Sequence, residues 1–222
     1  GTISATIGGL SVTSTLPTLA VTPGSASLAN SLVSMSNTTV NSGSSLTTTL
    51  TTRDAFGNNL TSGGLTVGFY YTGGTSTGTF GTTTDNGNGT YTATFTGVTA
   101  GTPTSIGATI SGSNVTSTLP TVTVNPGSPS VVNSLVSVSA GSVASGSSVT
   151  LTLTLRDAAN NNLTVGGETV VFSRTGGTST GTISATTDNN NGSYTATFTG
   201  LVSGTATSIR ATIGGTLVTS AS

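Results

Sequence analysis

Apolar positions along this chain alternate with polar ones at a period of two, and no stretch keeps the 3.6 period of a helix. The clearest case runs from Thr90 to Thr96. Tyr91, Ala93 and Phe95 face one way, and Thr92, Thr94 and Thr96 face the other. That pattern predicts a half-buried β-strand. Immediately before it, Asp85-Asn86-Gly87-Asn88-Gly89 has turn chemistry, because Asn and Gly accept positive φ. The same turn-plus-strand unit returns almost unchanged from Thr186 to Gly200.

The return belongs to a period of 103 residues that needs no gap. Ser31-Leu32-Val33-Ser34 recurs as Ser134-Leu135-Val136-Ser137, Arg53-Asp54-Ala55 as Arg156-Asp157-Ala158, Tyr91 as Tyr194 and Ile106 as Ile209. Ile3, Ala5 and Ile7 obey the same register, and Leu16-Pro17 matches Leu119-Pro120. Each period reads as about seven short strands separated by turns, which predicts an all-β sandwich. These strands fall near Leu32–Ser36, Leu46–Arg53, Leu65–Tyr71, Thr79–Thr83, Thr90–Thr96, Ile106–Ile110 and Val115–Val124, with counterparts one period later. On the second strand the later copy places Val149, Leu151, Leu153 and Leu155 on one face, where the earlier has Leu46, Thr48, Leu50 and Thr52. The first repeat should therefore have the less apolar core and be the less stable.

The expected domains are 1–27, the closing strands of a preceding repeat; 28–130, one repeat; and 131–222, a repeat lacking its last strand. An excerpt from a longer array has this form. So does a subunit whose N-terminal strand completes a neighbour's last domain, although residues 1–16 duplicate 207–222 and a simple swap would supply one strand twice. The joint Pro126-Gly127-Ser128-Pro129-Ser130 is short and Pro-containing, hence semi-rigid. Identical joints make a rod that extends by roughly 40 Å per repeat if the strands run along it.

Composition narrows the chemistry. Charged residues are 4% of the chain and the net charge is -1. Disorder usually comes with high net charge and few β-branched residues, so the chain reads as folded, with hydroxyls on its solvent face. Cys, His, Lys and Gln are absent. This removes disulfides, thiolate and Schiff-base chemistry, the commonest general base, and side-chain cross-links made from Lys or Gln. The expectation is no enzyme, no catalytic residues, no metal site and no cofactor. Arg53, Arg156, Arg174 and Arg210 are the only cationic side chains, too few to track phosphates, so no nucleic-acid partner is expected. No apolar run reaches membrane-spanning length. Low charge, no Cys and abundant Thr, Ser and Asn point to an extracellular prokaryotic protein.

Segment 146–163, Gly-Ser-Ser-Val-Thr-Leu-Thr-Leu-Thr-Leu-Arg-Asp-Ala-Ala-Asn-Asn-Asn-Leu, is followed by Glu-Thr-Val-Val-Phe-Ser and Thr-Thr-Asp-Asn-Asn-Asn-Gly-Ser-Tyr-Thr-Ala-Thr-Phe. It resembles the bacterial immunoglobulin-like repeats of the invasin/intimin type. The Asp-Asn-Gly-Asn-Gly-Thr-Tyr segment is also similar to filamin-type immunoglobulin-like repeats. The resemblance covers almost the whole chain and implies tandem immunoglobulin-like β-sandwiches in a rod: the stalk or fibre of a large adhesin at the cell surface. Two alternatives remain: a subunit of a self-assembling extracellular filament or sheath joined by strand exchange, and a glycan- or protein-binding module. The expected partners are neighbouring repeats of the same chain or identical chains, with a host or environmental glycan or protein as a further candidate.

Individual residues offer few sites. Asp85 and Asp188 open the signature turns, where an Asx-turn cap outweighs calcium, which needs six to eight oxygens. Asp54 and Asp157 read as turn caps with a surface ion pair to the adjacent Arg. Tyr91 and Tyr194 resemble a tyrosine corner with a buried, bonded hydroxyl. Phe69, Tyr70 and Tyr71 form a candidate interaction surface, because alternation turns part of the trio outward; the second repeat has Phe172, Ser173 and Arg174 there. Asn37, Asn59, Asn88, Asn114, Asn162 and Asn191 head Asn-x-Ser/Thr sequons and are candidate glycosylation sites, and exposed Ser and Thr could carry O-glycans.

Overall fold

The computed structural model describes residues 1–220. Among them every regular element is a strand, and no helix is long and apolar enough to cross a membrane. The N-terminal segment forms a hairpin, β1 (Thr6–Ile7) and β2 (Leu10–Ser11). The first repeat contains β3 (Leu32–Met35), β4 (Thr39–Asn41), β5 (Ser45–Thr51), β6 (Val67–Thr72), β7 (Thr77–Phe80), β8 (Thr84–Asp85), β9 (Thr90–Thr99), β10 (Thr104–Ile110), β11 (Ser113–Asn114) and β12 (Thr121–Asn125). The second contains β13 (Leu135–Val138), β14 (Ser148–Thr154), β15 (Val170–Thr175), β16 (Thr180–Ile183), β17 (Thr187–Asp188), β18 (Ser193–Val202), β19 (Ser208–Ile213) and β20 (Thr216–Leu217).

Each repeat is a two-sheet sandwich. In the first, β3, β5, β9 and β7 make one sheet, with β8 also on β9. In the other sheet β6 lies along one edge of β10, while β11 and β12 pair with it elsewhere. β12 then pairs with β4 in parallel, Thr123–Asn125 against Thr39–Asn41. The second repeat repeats the first sheet as β13, β14, β18 and β16, and the second as β15, β19 and β20. The hairpin register itself occurs three times. Thr6 faces Ser11, Thr109 faces Asn114 and Thr212 faces Leu217, each one period apart.

Two sequence expectations need correcting. The single strand expected from Val115 to Val124 forms only in its last part, as β12, because the chain after β11 leaves the ladder: the Thr116 N–H donates to the Leu28 carbonyl and the Ser117 hydroxyl to the Ser31 carbonyl. β4, a three-residue strand, was not expected at all. Its pattern is too short to show alternation, and its partner is distant in sequence.

The signature strand lies at the centre of each sandwich. Tyr91, Ala93 and Phe95 of β9 are buried, as are Tyr194, Ala196 and Phe198 of β18. A fully buried Leu50 or Phe95 side chain contributes about 1.5–3 kcal/mol of hydrophobic stabilisation. The face of β5 that carries Leu46 and Leu50 also carries Thr48 and, just past the strand, Thr52. Thr48 and Thr52 are completely buried, and their hydroxyls donate to the Ala93 carbonyl at 2.9 Å and the Gly89 carbonyl at 2.7 Å. These bonds meet the cost of burying hydroxyls.

Closure differs between the repeats. Val33, Val40, Leu46 and Ile106 are buried in the first, whereas Val136, Val143, Val149 and Ile209 are half-buried in the second. The first repeat has β12 over this end of its core; among the described residues, the second has no counterpart.

Candidate functional site: the joint between repeats

The joint is built around one carboxylate. Asp157 follows β14 at the mouth of the Ala158–Asn161 turn and is almost wholly buried. One oxygen, Oδ1, accepts from the backbone N–H groups of Ala159 and Asn161 at 2.9 and 2.8 Å, which closes the turn. The other, Oδ2, accepts from the Gly127 N–H of the linker at 2.9 Å and from Asn161 Nδ2 at 2.8 Å. Ser130 N–H donates to the Arg156 carbonyl at 2.7 Å. The linker is therefore held at both ends against the second repeat.

Asn161 extends this hold to the first repeat. Its Nδ2 donates to the Val98 carbonyl at 2.8 Å, and its Oδ1 accepts from the Ala100 N–H at 2.9 Å. A side chain of the second repeat thus closes a two-point bond with the backbone at the end of β9. Gly127 suits this approach, because a Cβ there would stand 2.7 Å from the Ser42 carbonyl oxygen.

Asp54 repeats the arrangement at the entrance to the first repeat. It accepts from the Phe56 and Asn58 N–H groups, from Asn58 Nδ2, and from Gly24 N–H at 3.0 Å. The Asn58 side chain, then the Gly24 N–H, holds its pKa down to about 2. For Asp157 burial is the largest influence and pushes upward; the bonds from Gly127, Asn161 and Ala159 outweigh it, and the net pKa is lowered. The surface ion pairs expected for these two residues are not what the structure shows. Both carboxylates turn inward, and the neighbouring Arg53 and Arg156 donate through Nε to Asn59 and Asn162.

The other sequence candidates fall as follows. Asp85 Oδ1 accepts from Gly87 N–H at 2.9 Å, an Asx-turn, while Oδ2 accepts from Gly64 N–H at 2.6 Å; both bonds lower its pKa, the Gly64 bond foremost. Asp188 does the same with Asn190 and Gly167. No group of three or more acidic side chains stands together among the described residues. Tyr91 and Tyr194 are buried, and their hydroxyls accept from the Leu65 and Glu168 N–H groups at 3.0 and 2.8 Å. Burial, first of all, raises the pKa of Tyr194.

Phe69, Tyr70 and Tyr71 do not form one surface. Phe69 stacks on Phe80 at 5.9 Å, and Tyr71 meets the edge of Phe95 at 6.5 Å while remaining 41% exposed. Tyr70 points to the other face and lies over its cross-strand partner Gly107, where a Cβ would collide with the ring. The second repeat replaces this pair with Ser173 opposite Arg210. The six sequon residues, Asn37, Asn59, Asn88, Asn114, Asn162 and Asn191, are all exposed. In Asn37, Asn88 and Asn191 the side-chain oxygen accepts from backbone N–H groups one or two residues on.

Asn58 and Asn161 were not singled out from the sequence. Their signal was present: Asp-x-x-x-Asn occurs at the same offset in both repeats. What it lacks is any indication that the amide reaches another domain.

With two sandwiches and their joint described, comparison with known proteins places the chain. It belongs to the family described as invasin, domain 3, which matches residues 27–127 and again 130–222. The fold is similar to that of FdeC, an Escherichia coli adhesin, with a TM-score of 0.58 and 25% identity over 100% of this chain and 73% of that one. It is also similar to invasin, a bacterial integrin-binding protein, with a TM-score of 0.55 and 23% identity over 88% of this chain and 39% of invasin's. A comparison with curated proteins finds no match. These are tandem bacterial immunoglobulin-like repeats.

Proposed function

We propose that the chain is a stiff spacer in an extracellular adhesin, setting the distance and direction between a cell surface and whatever the adhesin contacts. The observation that carries this reading is the Asn161 bond pair across the joint, together with the Asp157 hold on the linker. Two sandwiches on a free tether would need neither. The adhesin context comes from FdeC, whose fold this chain shares, and from membership of the invasin domain 3 family. The proposed location is the prokaryotic cell surface, and the proposed role is mechanical rather than catalytic. Its boundaries follow the period: 1–27, 28–130 and 131–222. Glycans on the exposed sequons, or contacts through Tyr70 and Tyr71, would decorate such a spacer without altering its action.

The chain has no cysteine, so spin labels can be placed on single introduced cysteines in each repeat. Electron–electron distance measurement should give one narrow distribution. Asn161→Ala should broaden it while leaving each sandwich folded. A distribution already broad in the unaltered chain would overturn the spacer reading.

A further inference from the structure

We propose that the second repeat carries a binding cleft for a small neutral phenol, set between β15 and β16, in a place that the first repeat fills with an aromatic ring of its own. This goes beyond the spacer reading and rests on different residues.

The first repeat defines the space. Phe80 of β7 stacks on Phe69 of β6, with ring centroids 5.9 Å apart, and its ring also lies 5.1 Å from that of Phe95. Since β6 and β7 belong to different sheets, the Phe80 ring bridges the side of the sandwich. One period later the stacked pair becomes Phe172 and Ile183. The ring is replaced by a shorter aliphatic chain, and a cleft of about 480 Å³ lies there, with Phe172 and Ile183 both in its wall. Its floor is already formed, because Val170 and Phe172 are buried. Both flanking strands are fully paired behind it, β15 with β19 from Val170 to Thr175 and β16 with β18.

The lining selects the ligand. The rim is more apolar than in the first repeat, with Val171 in place of Gly68 and Ala185 in place of Thr82. Val171 is 55% exposed, so a ligand seated against it removes aliphatic surface from water. Among the described residues no charged side chain lines the cleft, and an ionised ligand would leave water without a partner for its charge. A dry cavity of about 150 Å³ lined by aliphatic and aromatic side chains already admits benzene, so the volume suffices for one ring. Phe172 presents to that ring what Phe69 presents to Phe80, a face for offset stacking. One polar group is available to orient it. Ser184 is already engaged, its hydroxyl donating to the Ala185 carbonyl at 3.0 Å and accepting from Thr197 N–H at 2.9 Å. Thr186 lines the same cleft, and among the described residues its hydroxyl is bonded to no protein group. A single free hydroxyl beside an aromatic floor matches a phenol, with its ring on Phe172 and its O–H on Thr186.

The test titrates phenol into the intact, isotope-labelled 222-residue chain and follows backbone amides by NMR. The expected result is saturable shifts in Val170–Phe172 and Ile183–Thr186, with Val67–Phe69 and Phe80–Thr83 unmoved. Ile183→Phe installs the residue that the first repeat carries on the same strand, so the sandwich keeps its fold, which the unchanged remainder of the spectrum verifies; it should abolish the shifts. Thr186→Val should weaken phenol several-fold and leave benzene unaffected. Cyclohexanol, which has the hydroxyl without the aromatic ring, should bind much more weakly than phenol. Absence of saturable shifts, equal shifts in both repeats, phenol binding that survives Ile183→Phe, or cyclohexanol binding as tight as phenol's overturns the proposal. The labels that test the spacer report on the joint alone, so either idea can fail without the other.

Discussion

The two repeats solve one packing problem with different side chains. The first puts Thr48 and Thr52 in the core, bonds both hydroxyls to neighbouring carbonyls, and covers the end of the core with β12. The second has Leu151 and Leu155 at those positions and leaves Val143, Val149 and Ile209 half-exposed. Counting apolar residues ranks the second core higher, but counting buried ones at this end of the sandwich does not. A leucine contributes in proportion to the water it leaves, so closure matters as much as composition.

The largest expected effect comes from paired truncations. Ile106→Ala should cost about 2–5 kcal/mol, as for other fully buried aliphatic residues, whereas Ile209→Ala should cost clearly less. Denaturant unfolding of each variant measures the gap; equal costs would break the comparison. A smaller effect is expected from the facing glycines. Gly97→Ala forces a methyl toward Val124 and Val40 and should cost about 1–3 kcal/mol. Gly200→Ala meets the Ala144 carbonyl and Val143 at 3.2 Å and should cost less. Third, Thr52→Val should change stability by under about 1 kcal/mol, because the Gly89 carbonyl keeps the Thr52 N–H at 2.9 Å. A larger loss would show that the hydroxyl holds more than its bond.

The gentlest perturbation is acid. Asp54 and Asp157 have lowered pKa values when folded, so the stability they lend is fully present above the ordinary carboxylate pKa near 4. For Asp54 it is lost as pH falls toward about 2. The joint distance should therefore stay constant from pH 8 to about pH 4 and broaden below that. Broadening at pH 6 would mean that another group controls the joint.

Much of this was legible from the residues. The period, the signature strand, the Asx turns at Asp85 and Asp188 and the bonded tyrosines all follow from local patterns. The parallel β4–β12 pair was not legible, because three residues carry no periodicity and the partner is some eighty residues away. Nor was the division of Phe69, Tyr70 and Tyr71. Alternation says that neighbours part, but not that Tyr70 finds a glycine opposite it to cover. The role of Asn161 was hidden because an exposed Asn in a turn is ordinary until another domain's backbone lies within reach.

The parallel pairing of β4 with β12 also decides how a repeat behaves under tension. A pull along the array enters the first sandwich through the Gly24–Asp54 bond and β3 and leaves through β12, so that once β3 has parted from β5 the strands β4 and β12 are drawn past each other lengthwise. Their ladder, flanked by the bonds from Thr123 to Thr38 and from Ser42 to Asn125, is then strained in shear, with its links sharing the force instead of parting one by one. A repeat closed in this way should resist stretching until the whole ladder gives at once.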